Sequence, residues 1–344
     1  MPRSVSIKDI AQMAGVSPST VSRALRADPR ISQERSQLIL RLAQDTGYTP
    51  SLAARHLVTQ QTNTIGLVLS YLSDLYVGSL VASIEEAAMS LGYSVFLISS
   101  YRDAKREQEA VRSLHERRTA GIIVTGSQID EGYVQLRMRY AQPVVLINCP
   151  RYPHSISSDN LAGARQAVEH LVRLGHRQIA YIADPRSHGA NLDRLTGYRT
   201  VLAQYQIPID PEWIVEGDGS MAGAQRAVQQ QLACRRRPTA IFCFNDLTAM
   251  VALGTLNQAG LHVPADCSVI GFDDLELAPY CCPPLTTVRQ HRDQLGQRAV
   301  HMLHRLIQGQ CEVQPEVLPA ELVVRETAGL APALAGGREE VIGF

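Results

Sequence analysis

From residue 64 onward, short apolar runs alternate with longer stretches of helical character, and this alternation constrains the fold more than any other feature. The first series contains TIGLVLS at 64–70, YSVFLIS at 93–99, GIIVTG at 121–126 and PVVLIN at 143–148. Their length and their many branched residues predict buried strands. Strands that alternate with helices form a parallel sheet covered by helices. We therefore predict an α/β unit wound around a parallel sheet.

A second series of the same kind predicts a second sheet. Strands are expected at 178–183, 213–216, 239–244 and 268–273, with helices between them. A proline-rich passage ends this series, and a late helix and strand after it are free to return to the first sheet. The core is thus expected to contain two doubly wound parallel-sheet subdomains.

These patterns also predict the domain boundaries. A chain of 344 residues is too long for one ordinary domain. The C-terminal tail is rich in Ala and Gly and is expected to be disordered. The expected parts are a head at 1–48, a linker at 49–62, a core at 63–330 (an N-subdomain of about 63–159 plus 292–320 and a C-subdomain of about 160–289) and a tail at 331–344.

The first 48 residues lack the strand pattern and predict a small all-α head. Ser6 precedes the segment IKDIAQMAGVSPSTVSRAL, residues 7–25. Together with Asp9 it has the spacing that caps a first helix. Gly15 suits the turn that follows, because glycine adopts a positive φ without cost. Pro18 suits the first position of a second helix, where its missing N–H is not needed.

The second helix is expected to turn a polar face to solvent. Short hydroxyl side chains and one guanidinium are what a helix needs to meet phosphates and base edges in the major groove of DNA. An ordinary helical hairpin with a solvated polar face is the alternative. The residues of this face are Ser19, Thr20, Ser22 and Arg23.

A third helix and a marginal fourth one follow. The third is expected from about 32 to 46, with Leu38 and Leu42 on its apolar face. The stretch 51–58 has helix-forming composition, but two turns are not stable alone in water. A partner copy or a ligand must therefore stabilise it. Its apolar edge consists of Ala53, Ala54 and Leu57.

Charge and composition narrow the functional classes. The chain has 33 basic and 33 acidic side chains, but residues 1–61 hold eight Lys or Arg and only four Asp or Glu. A basic head on an acidic body suits a nucleic-acid-binding module. The sequence has no run of roughly 18 apolar residues and no secretion signal, which predicts a cytoplasmic protein without membrane attachment. Its seven cysteines lack metal-binding spacing, so reduced thiols and no metal site are expected.

Polar residues follow the predicted strands, where open α/β sheets bind ligands. Carboxylates, amides and a guanidinium in two facing sets suit a small polyhydroxylated molecule. Asp246 and Asp274 are instead expected to be helix caps or turn residues. The first set contains Ser70, Asp74, Tyr76, Thr125 and Asn148, and the second contains Asp184, Arg194, Asn245 and Asp273.

Enzymatic chemistry is not indicated. The sequence has no GxGxxG, no GxxxxGK[ST], no HExxH and no GxSxG. Asp273 and Asp274 are adjacent, and adjacent side chains on an extended segment point apart. We therefore expect neither catalysis nor a cofactor.

Ordered sequence blocks resemble the LacI/GalR family of bacterial transcription regulators over roughly residues 7–327. The resemblance implies a helix-turn-helix head on a periplasmic-binding-protein-like core. The most specific block is IKDIAQMAGVSPSTVSRAL. The others, in order, are GYTPSLAARHL, HLVRLGHRQIAYIADP, RLTGY, FCFND, VPADCSVIGFDD and PPLTTVRQ.

For the head, the resemblance implies a homodimer that grips a near-palindromic operator in double-stranded DNA. Leu57 matches the hinge leucine that inserts into the minor groove and kinks DNA. The marginal helix at 51–58 would then be stable only when paired on the operator. The full set of expected DNA-contacting residues is Ser6, Pro18, Ser19, Thr20, Ser22, Arg23, Arg30, Ala54 and Leu57.

For the core, the resemblance implies a small-molecule effector, expected to be a mono- or oligosaccharide. Gly219 stands where some relatives carry an aromatic side chain that stacks on a sugar, so stacking must come from elsewhere. The full set of expected effector-contacting residues is Tyr71, Asp74, Tyr76, Asn148, Arg194, Asn245 and Asp273. Effector binding would favour one relative orientation of the subdomains and thereby release or tighten the grip on DNA.

The sequence features are also compatible with other functions. A regulator controlled by a purine-type corepressor or by a partner protein has the same architecture. A free sugar-binding transport protein shares the core but requires an export signal and has no use for the basic head. An enzyme of sugar metabolism is the remaining alternative.

Overall fold

The computed structural model describes residues 5–25, 28–48, 62–129, 132–133, 142–310 and 313–332. The chain divides into two compact units, Met1–Thr62 and Asn63–Phe344. The first unit is helical, whereas the second contains two parallel sheets and a short antiparallel ribbon. The predicted helix at 51–58 and the predicted tail from residue 333 onward lie outside the described residues.

The head consists of three short helices packed around one small core. The fully or almost fully buried side chains are apolar and come from all three helices: Ile10, Ala11, Val21, Ala24 and Ile39. The helices are α1 (Ile7–Met13), α2 (Pro18–Ala24) and α3 (Gln33–Asp45).

The predicted apolar face of α3 is wrong at one position. Leu38 is 47% exposed, whereas Ile39 is fully buried. Neighbouring residues of a helix differ by about 100° in direction, so the buried face is centred one residue later than the leucine spacing indicated. Leu42 is partly buried against this core, as expected.

The first sheet has six parallel strands in the order β11-β5-β4-β3-β1-β2. Five strands come from one continuous part of the chain, and the sixth returns from near the C-terminus. The strands are β1 (Thr64–Leu69), β2 (Ser94–Ser99), β3 (Ile122–Thr125), β4 (Val144–Ile147), β5 (Ser155–Ser158) and β11 (Glu316–Leu318).

Helices cover both faces of this sheet, which explains why β1, β3 and β4 are almost continuously apolar. Ile65 and Leu67 pack in one cluster with two helices, and Val68 packs in another cluster with a third helix on the opposite face. The helices of the first cluster are α4 (Leu75–Ser90) and α10 (Arg292–Ile307), and the helix of the second is α5 (Ala104–Glu116).

The second sheet has four parallel strands in the order β7-β6-β8-β9. The strands are β6 (Ile179–Ala183), β7 (Ile214–Glu216), β8 (Ala240–Cys243) and β9 (Ser268–Ile270). The helices around it are α6 (Asn160–Arg173), α7 (His188–Gln204), α8 (Met221–Ala233) and α9 (Asp246–Gln258).

Two strands were not predicted, and each has a simple reason. β5 has the sequence SISS, which lacks apolar residues at three of four positions although all four are buried. β10 (Thr287–Gln290) follows the proline-rich passage and pairs antiparallel with β12 (Ala320–Val323). The two strands of this ribbon lie in the chain crossings between the two sheets.

In the part of the chain that the structure describes, no helix has both the length and the apolar composition needed to span a membrane.

Candidate functional site

The first helix of the head begins with a reciprocal cap. The Ser6 hydroxyl accepts from the Asp9 backbone N–H at 3.4 Å, and the Asp9 carboxylate accepts from the Ser6 N–H at 2.8 Å. This capping box satisfies N–H groups that a helix start otherwise leaves unpaired. Ser6 is therefore used within the head, although it remains exposed and accessible to DNA.

The second helix presents the polar face that the sequence predicted. Ser17 caps it, and its hydroxyl lies 2.7 Å from that of Ser19 and 2.9 Å from that of Thr20. Pro18 occupies the first helical position, and Arg23 is exposed in the last turn. The hydroxyl groups thus form one pre-ordered cluster at the N-terminus of α2, while the opposite side of the helix packs inward.

Arg30 differs from the other predicted DNA contacts because an acidic side chain already binds it. Its guanidinium donates to both carboxylate oxygens of Asp28, at 2.9 and 2.7 Å. This bidentate pairing holds the pKa of Asp28 far below its usual range. A DNA phosphate must therefore compete with Asp28 for Arg30. The predicted contacts Ala54 and Leu57 lie outside the described residues.

The second candidate site is a polar cleft in the core, at the carboxyl ends of the strands. Residues from the loops of both sheets and from the ribbon line it. The lining includes Asp74, Tyr76, Arg102, Gln128, Asn148, Cys149, Arg186, Arg194, Phe244, Asn245, Asp273 and Gln290. Six of the seven predicted effector-binding residues are among them.

Arg194 is the most tightly held side chain of the cleft. It is 3% exposed, donates to the Asn160 amide oxygen at 3.0 Å and to the Phe244 carbonyl oxygen, and lies between two aromatic rings. The ring centroids of Phe244 and Phe272 are 4.4 and 3.7 Å from its guanidinium carbon. Burial lowers the pKa of Arg194, and the nearby Asp273 carboxylate opposes that shift.

Asp273 faces Arg194 with a separation of 3.9 Å between its Oδ1 and the guanidinium Nη2. Its backbone adopts a φ of 125°, a region that non-glycine residues rarely occupy. Gln290 donates to Oδ1 at 2.6 Å, and Arg292 donates to the Asp273 carbonyl oxygen. Burial raises the pKa of this carboxyl to about 8, against the influence of Arg194.

A chain of hydrogen bonds links the first sheet to the ribbon. The Asn148 amide donates to the Tyr76 hydroxyl at 3.0 Å, which in turn donates to the Gln290 side-chain oxygen at 3.3 Å. The Asn148 oxygen accepts from the Ser158 N–H at 3.1 Å. Through Gln290 the chain reaches Asp273, so polar groups from both sheets belong to one network.

Asn245 both caps a helix and lines the cleft. Its side-chain oxygen accepts from the Thr248 N–H at 2.9 Å at the start of α9. Asp246 behaves differently, because it is fully buried and accepts from the Thr287 hydroxyl and the Leu275 N–H. Asp246 is therefore not the expected helix cap, because Asn245 occupies the cap position and Asp246 holds a neighbouring loop and β10.

Asp74 and Tyr71 were predicted together, but only one of them lines the cleft. Asp74 caps α4 by accepting from the Tyr76 N–H at 3.0 Å, and burial raises its pKa. Tyr71 is absent from the lining; its hydroxyl donates to the Tyr101 carbonyl oxygen at 3.2 Å and its ring packs edge-on against the Tyr101 ring.

Several lining residues were missed by the sequence reasoning. Arg102 lies just after β2, so the rule that ligands bind at the carboxyl ends of strands would have found it. Gln290 belongs to a strand that was not predicted. Gln128 and Arg186 each lie three residues after the end of a strand, β3 and β6, so the same rule would have found them. Among the described residues, no group of acidic, His and Cys side chains has the geometry to hold a metal ion.

Family models match both parts of the chain. Residues 6–51 match the model for bacterial regulatory proteins of the lacI family, and residues 168–328 match a periplasmic binding protein-like domain. The HTH-type transcriptional repressor PurR of Photobacterium profundum is 33% identical over 327 residues, which cover 94% of this chain and 98% of that protein.

Solved structures extend the similarity to the three-dimensional fold. The lac repressor dimer bound to operator and the anti-inducer ONPF has a TM-score of 0.87 and 33% identity, covering 95% of this chain and 100% of that one. The transcriptional regulator CelR in complex with cellobiose has a TM-score of 0.72 and 26% identity, covering 94% and 99%. The similarity therefore includes both the helical head and the two-sheet core.

Proposed function

Because this chain belongs to the lacI family of bacterial regulatory proteins, and is a DNA-binding transcriptional repressor with a small-molecule effector rather than an enzyme, we propose how it binds each ligand. As a homodimer it binds a near-palindromic operator through the polar face of α2. An uncharged sugar binds in the cleft of the core and switches operator affinity. The observation that carries the effector part of this proposal is the polar network of the cleft, in which hydrogen bonds join Asn148, Tyr76, Gln290 and Asp273.

The DNA half of the proposal rests on the chemistry of the head. Pro18 and Ser19 are exposed at the N-terminal end of α2, where backbone N–H groups also point outward. Thr20 and Ser22 are half-buried, and Arg23 extends one turn further along the same helix. Hydroxyl groups can donate to and accept from base edges, while arginine neutralises phosphate. Ala54 and Leu57 are proposed to contact the minor groove, on the basis of the family resemblance.

The effector class follows from the charges of the cleft. Its two most buried arginines already face acids: Arg194 faces Asp273, and Arg102 donates to Asp184 at 2.6 Å. A phosphate or carboxylate that bound either of these two arginines would have to displace its acid, and the remaining lining arginine, Arg186, is exposed at the surface. Amides, a tyrosine hydroxyl and carboxyl groups in several directions suit the hydroxyls of a neutral sugar. The relative CelR, solved with cellobiose, supports this class.

A purine is the second candidate, because relatives at 30–33% identity are PurR repressors. A planar base binds best when aromatic rings offer free faces for stacking. In the cleft, the two lining rings belong to Tyr76 and Phe244, and the Arg194 guanidinium lies 4.4 Å from the centroid of the Phe244 ring. The described geometry therefore favours the sugar.

The dimer is proposed from exposed apolar residues and from the relative that was solved as a dimer. Tyr280 is 85% exposed and Leu277 is 50% exposed, in the loop before β10. Large apolar side chains this exposed often belong to an interface. We also propose that the core has an N-subdomain of about 63–159 plus 292–320 and a C-subdomain of about 160–289. Residues 49–62 are proposed as the hinge that couples the core to the head.

The experiment first selects an operator from random double-stranded DNA with the purified chain. Operator affinity is then measured by fluorescence anisotropy alone and with neutral sugars, sugar phosphates or purine bases. We expect a selected site with two-fold symmetry, two chains per site, and a change in affinity only with a neutral sugar. A response to a purine or a sugar phosphate alone would replace the sugar assignment, and an asymmetric site bound by one chain would contradict the dimer.

A further inference from the structure

An ion pair crosses the cleft and links the two sheets. Arg102 follows β2 of the six-stranded sheet, and Asp184 follows β6 of the four-stranded sheet. The Arg102 Nη1 donates to Asp184 Oδ2 at 2.6 Å, and Nη2 lies 3.9 Å from Asp74 Oδ2. The side chains of Arg102 and Asp184 are 11% and 4% exposed, so the pair is largely removed from water.

Both partners are held in place by their own surroundings. Asp184 accepts from the Arg186 N–H at 3.2 Å and from the Ser187 hydroxyl at 3.3 Å, which fixes the direction of its carboxylate. The Arg102 guanidinium lies over the Tyr71 ring, 5.9 Å from its centroid. The pair is thus an ordered contact and not a loose surface pairing.

Gly219 leaves the space that this pair fills. A Cβ on Gly219 would overlap Arg102 Nη1 and would lie 3.1 Å from Asp184 Oδ2, and its φ of +73° already disfavours a side chain. The guanidinium therefore occupies the space that a side chain at position 219 would need.

A second contact crosses the cleft beside the ion pair. The Gln128 side-chain amide donates to the Arg186 carbonyl oxygen at 2.9 Å. Buried Glu107 orients this loop, because it accepts from the Gln128 N–H at 2.8 Å and from the Ser127 hydroxyl at 2.6 Å. The loops of the two sheets thus contact each other across the cleft.

We propose that the Arg102–Asp184 pair is a latch that holds the cleft closed in the absence of effector. If either partner is removed, the other is left as a buried charge without its main partner, which is costly unless the cleft opens and water reaches it. The latch sets the fraction of molecules that are open to an incoming effector, and that fraction scales the apparent effector affinity. The proposal depends on the proposed function only for what the cleft binds.

Cys149 provides a built-in reporter of cleft opening. It lines the cleft and is 5% exposed, whereas Cys243 is fully buried within the four-stranded sheet. Alkylation by N-ethylmaleimide is followed for each cysteine by peptide mass spectrometry, in the full-length protein without effector or DNA. Cys149 then reports on opening, and Cys243 reports on unfolding of the core.

Two variants remove the latch from opposite sides. We expect Arg102→Met to accelerate Cys149 alkylation on the order of tenfold, because it leaves Asp184 and Asp74 without their shared cation. Asp184→Asn should have a smaller effect, since Asp74 still attracts Arg102. The matched control is Arg106→Met, because Arg106 is exposed and its guanidinium lies over the Tyr101 ring at 5.2 Å. This control should label as the wild type does.

Two results would overturn the latch. One is an unchanged Cys149 rate in both Arg102→Met and Asp184→Asn. The other is equal acceleration of Cys149 and Cys243, which would show that the pair stabilises the whole core and does not control the cleft. Because neither effector nor operator is present, a failure of the sugar assignment in the operator titration leaves this measurement unaffected.

Discussion

The polar face of α2 and the cleft of the core are built in opposite ways. The face of α2 is formed by residues within one short segment, from Ser17 to Arg23, and most of it is exposed. The cleft joins residues that are far apart in sequence, such as Tyr76 and Gln290, which are separated by 214 positions. Its key side chains are buried and hydrogen-bonded to one another. A local, exposed face can bind DNA by itself, whereas a long-range, interlocked network can change its arrangement as a unit.

This contrast predicts that mutations in one site leave the other intact, and the largest effect is expected at Arg194. Replacing it with Met removes the buried guanidinium that faces Asp273 and donates to Asn160. Loss of a hydrogen bond from a charged donor to the effector costs up to about 3 kcal/mol, so effector affinity should fall by up to about a hundredfold. Operator affinity without effector should stay within about threefold.

The measurement is calorimetric titration of the effector identified by the operator assay, together with anisotropy on the operator. Arg199→Met is the matched control, because Arg199 is an exposed arginine on the same helix, α7. Arg194→Met protein that still binds effector with wild-type affinity would exclude Arg194 from the effector site.

The next largest effect is expected at Leu57. Here the operator affinity should fall while the effector affinity stays unchanged. Leu57→Ala removes the proposed apolar wedge and with it the kink that lets DNA contact more of the protein surface, and those contacts must outweigh the few kcal/mol that unstacking a base step costs. Operator affinity should fall roughly tenfold or more, while effector affinity stays unchanged. Anisotropy and calorimetry on the same preparation test both halves. Equal operator affinity of wild type and variant would contradict the hinge role.

The same contrast explains what could be predicted from sequence. The capping box of Ser6 and Asp9 and the proline at the start of α2 have fixed spacing, so local rules found them. The strand-end rule found Asn148, Asn245 and Asp273 because each follows an apolar strand. The contacts between residues that are distant in sequence could not be predicted, because sequence spacing carries no information on which loops meet in space.

Two particular errors show where local rules stop. The leucine spacing of α3 placed Leu38 inside, but the tertiary contacts of the head bury Ile39 instead. The strand β5 was missed because a polar SISS segment has the composition of a loop, although it lies between β11 and β4 in the six-stranded sheet and every residue of it is buried. In both places packing decided the structure, and packing depends on neighbours that are distant in sequence.

A third prediction uses pH to isolate the buried carboxyl of the cleft. Burial raises the pKa of Asp273 to about 8 and that of Asp246 to about 6. The folded state therefore binds a proton more tightly than the unfolded state does, and the free energy of unfolding falls as pH rises from about 4 to the folded pKa. Between pH 6 and 8 the loss from Asp273 is at most about 1.4 kcal/mol per pH unit.

Urea unfolding at pH 6 and pH 8 measures this slope. Asp273→Asn should reduce the loss of stability between the two pH values, because its side chain does not titrate. Asp293→Asn serves as the control, since Asp293 is exposed at the start of α10 and should leave the slope unchanged. An identical slope in Asp273→Asn and wild type would show that Asp273 is ionised in the folded protein throughout this range.

The smallest effect is expected in the head, where Asp28 binds the Arg30 guanidinium that we propose contacts DNA. Asp28→Asn removes the carboxylate that now binds the guanidinium in bidentate fashion and also removes a negative charge from the basic head. Both changes favour contact with a phosphate, so operator affinity should rise about threefold at low salt and less at high salt. Anisotropy at several salt concentrations measures the gain. Adding Arg30→Ala to the same chain should abolish most of it, because the freed cation is then absent. If Asp28→Asn binds the operator no more tightly than the wild type, Arg30 does not reach DNA, and the polar face of α2 accounts for the contacts of the described head without it.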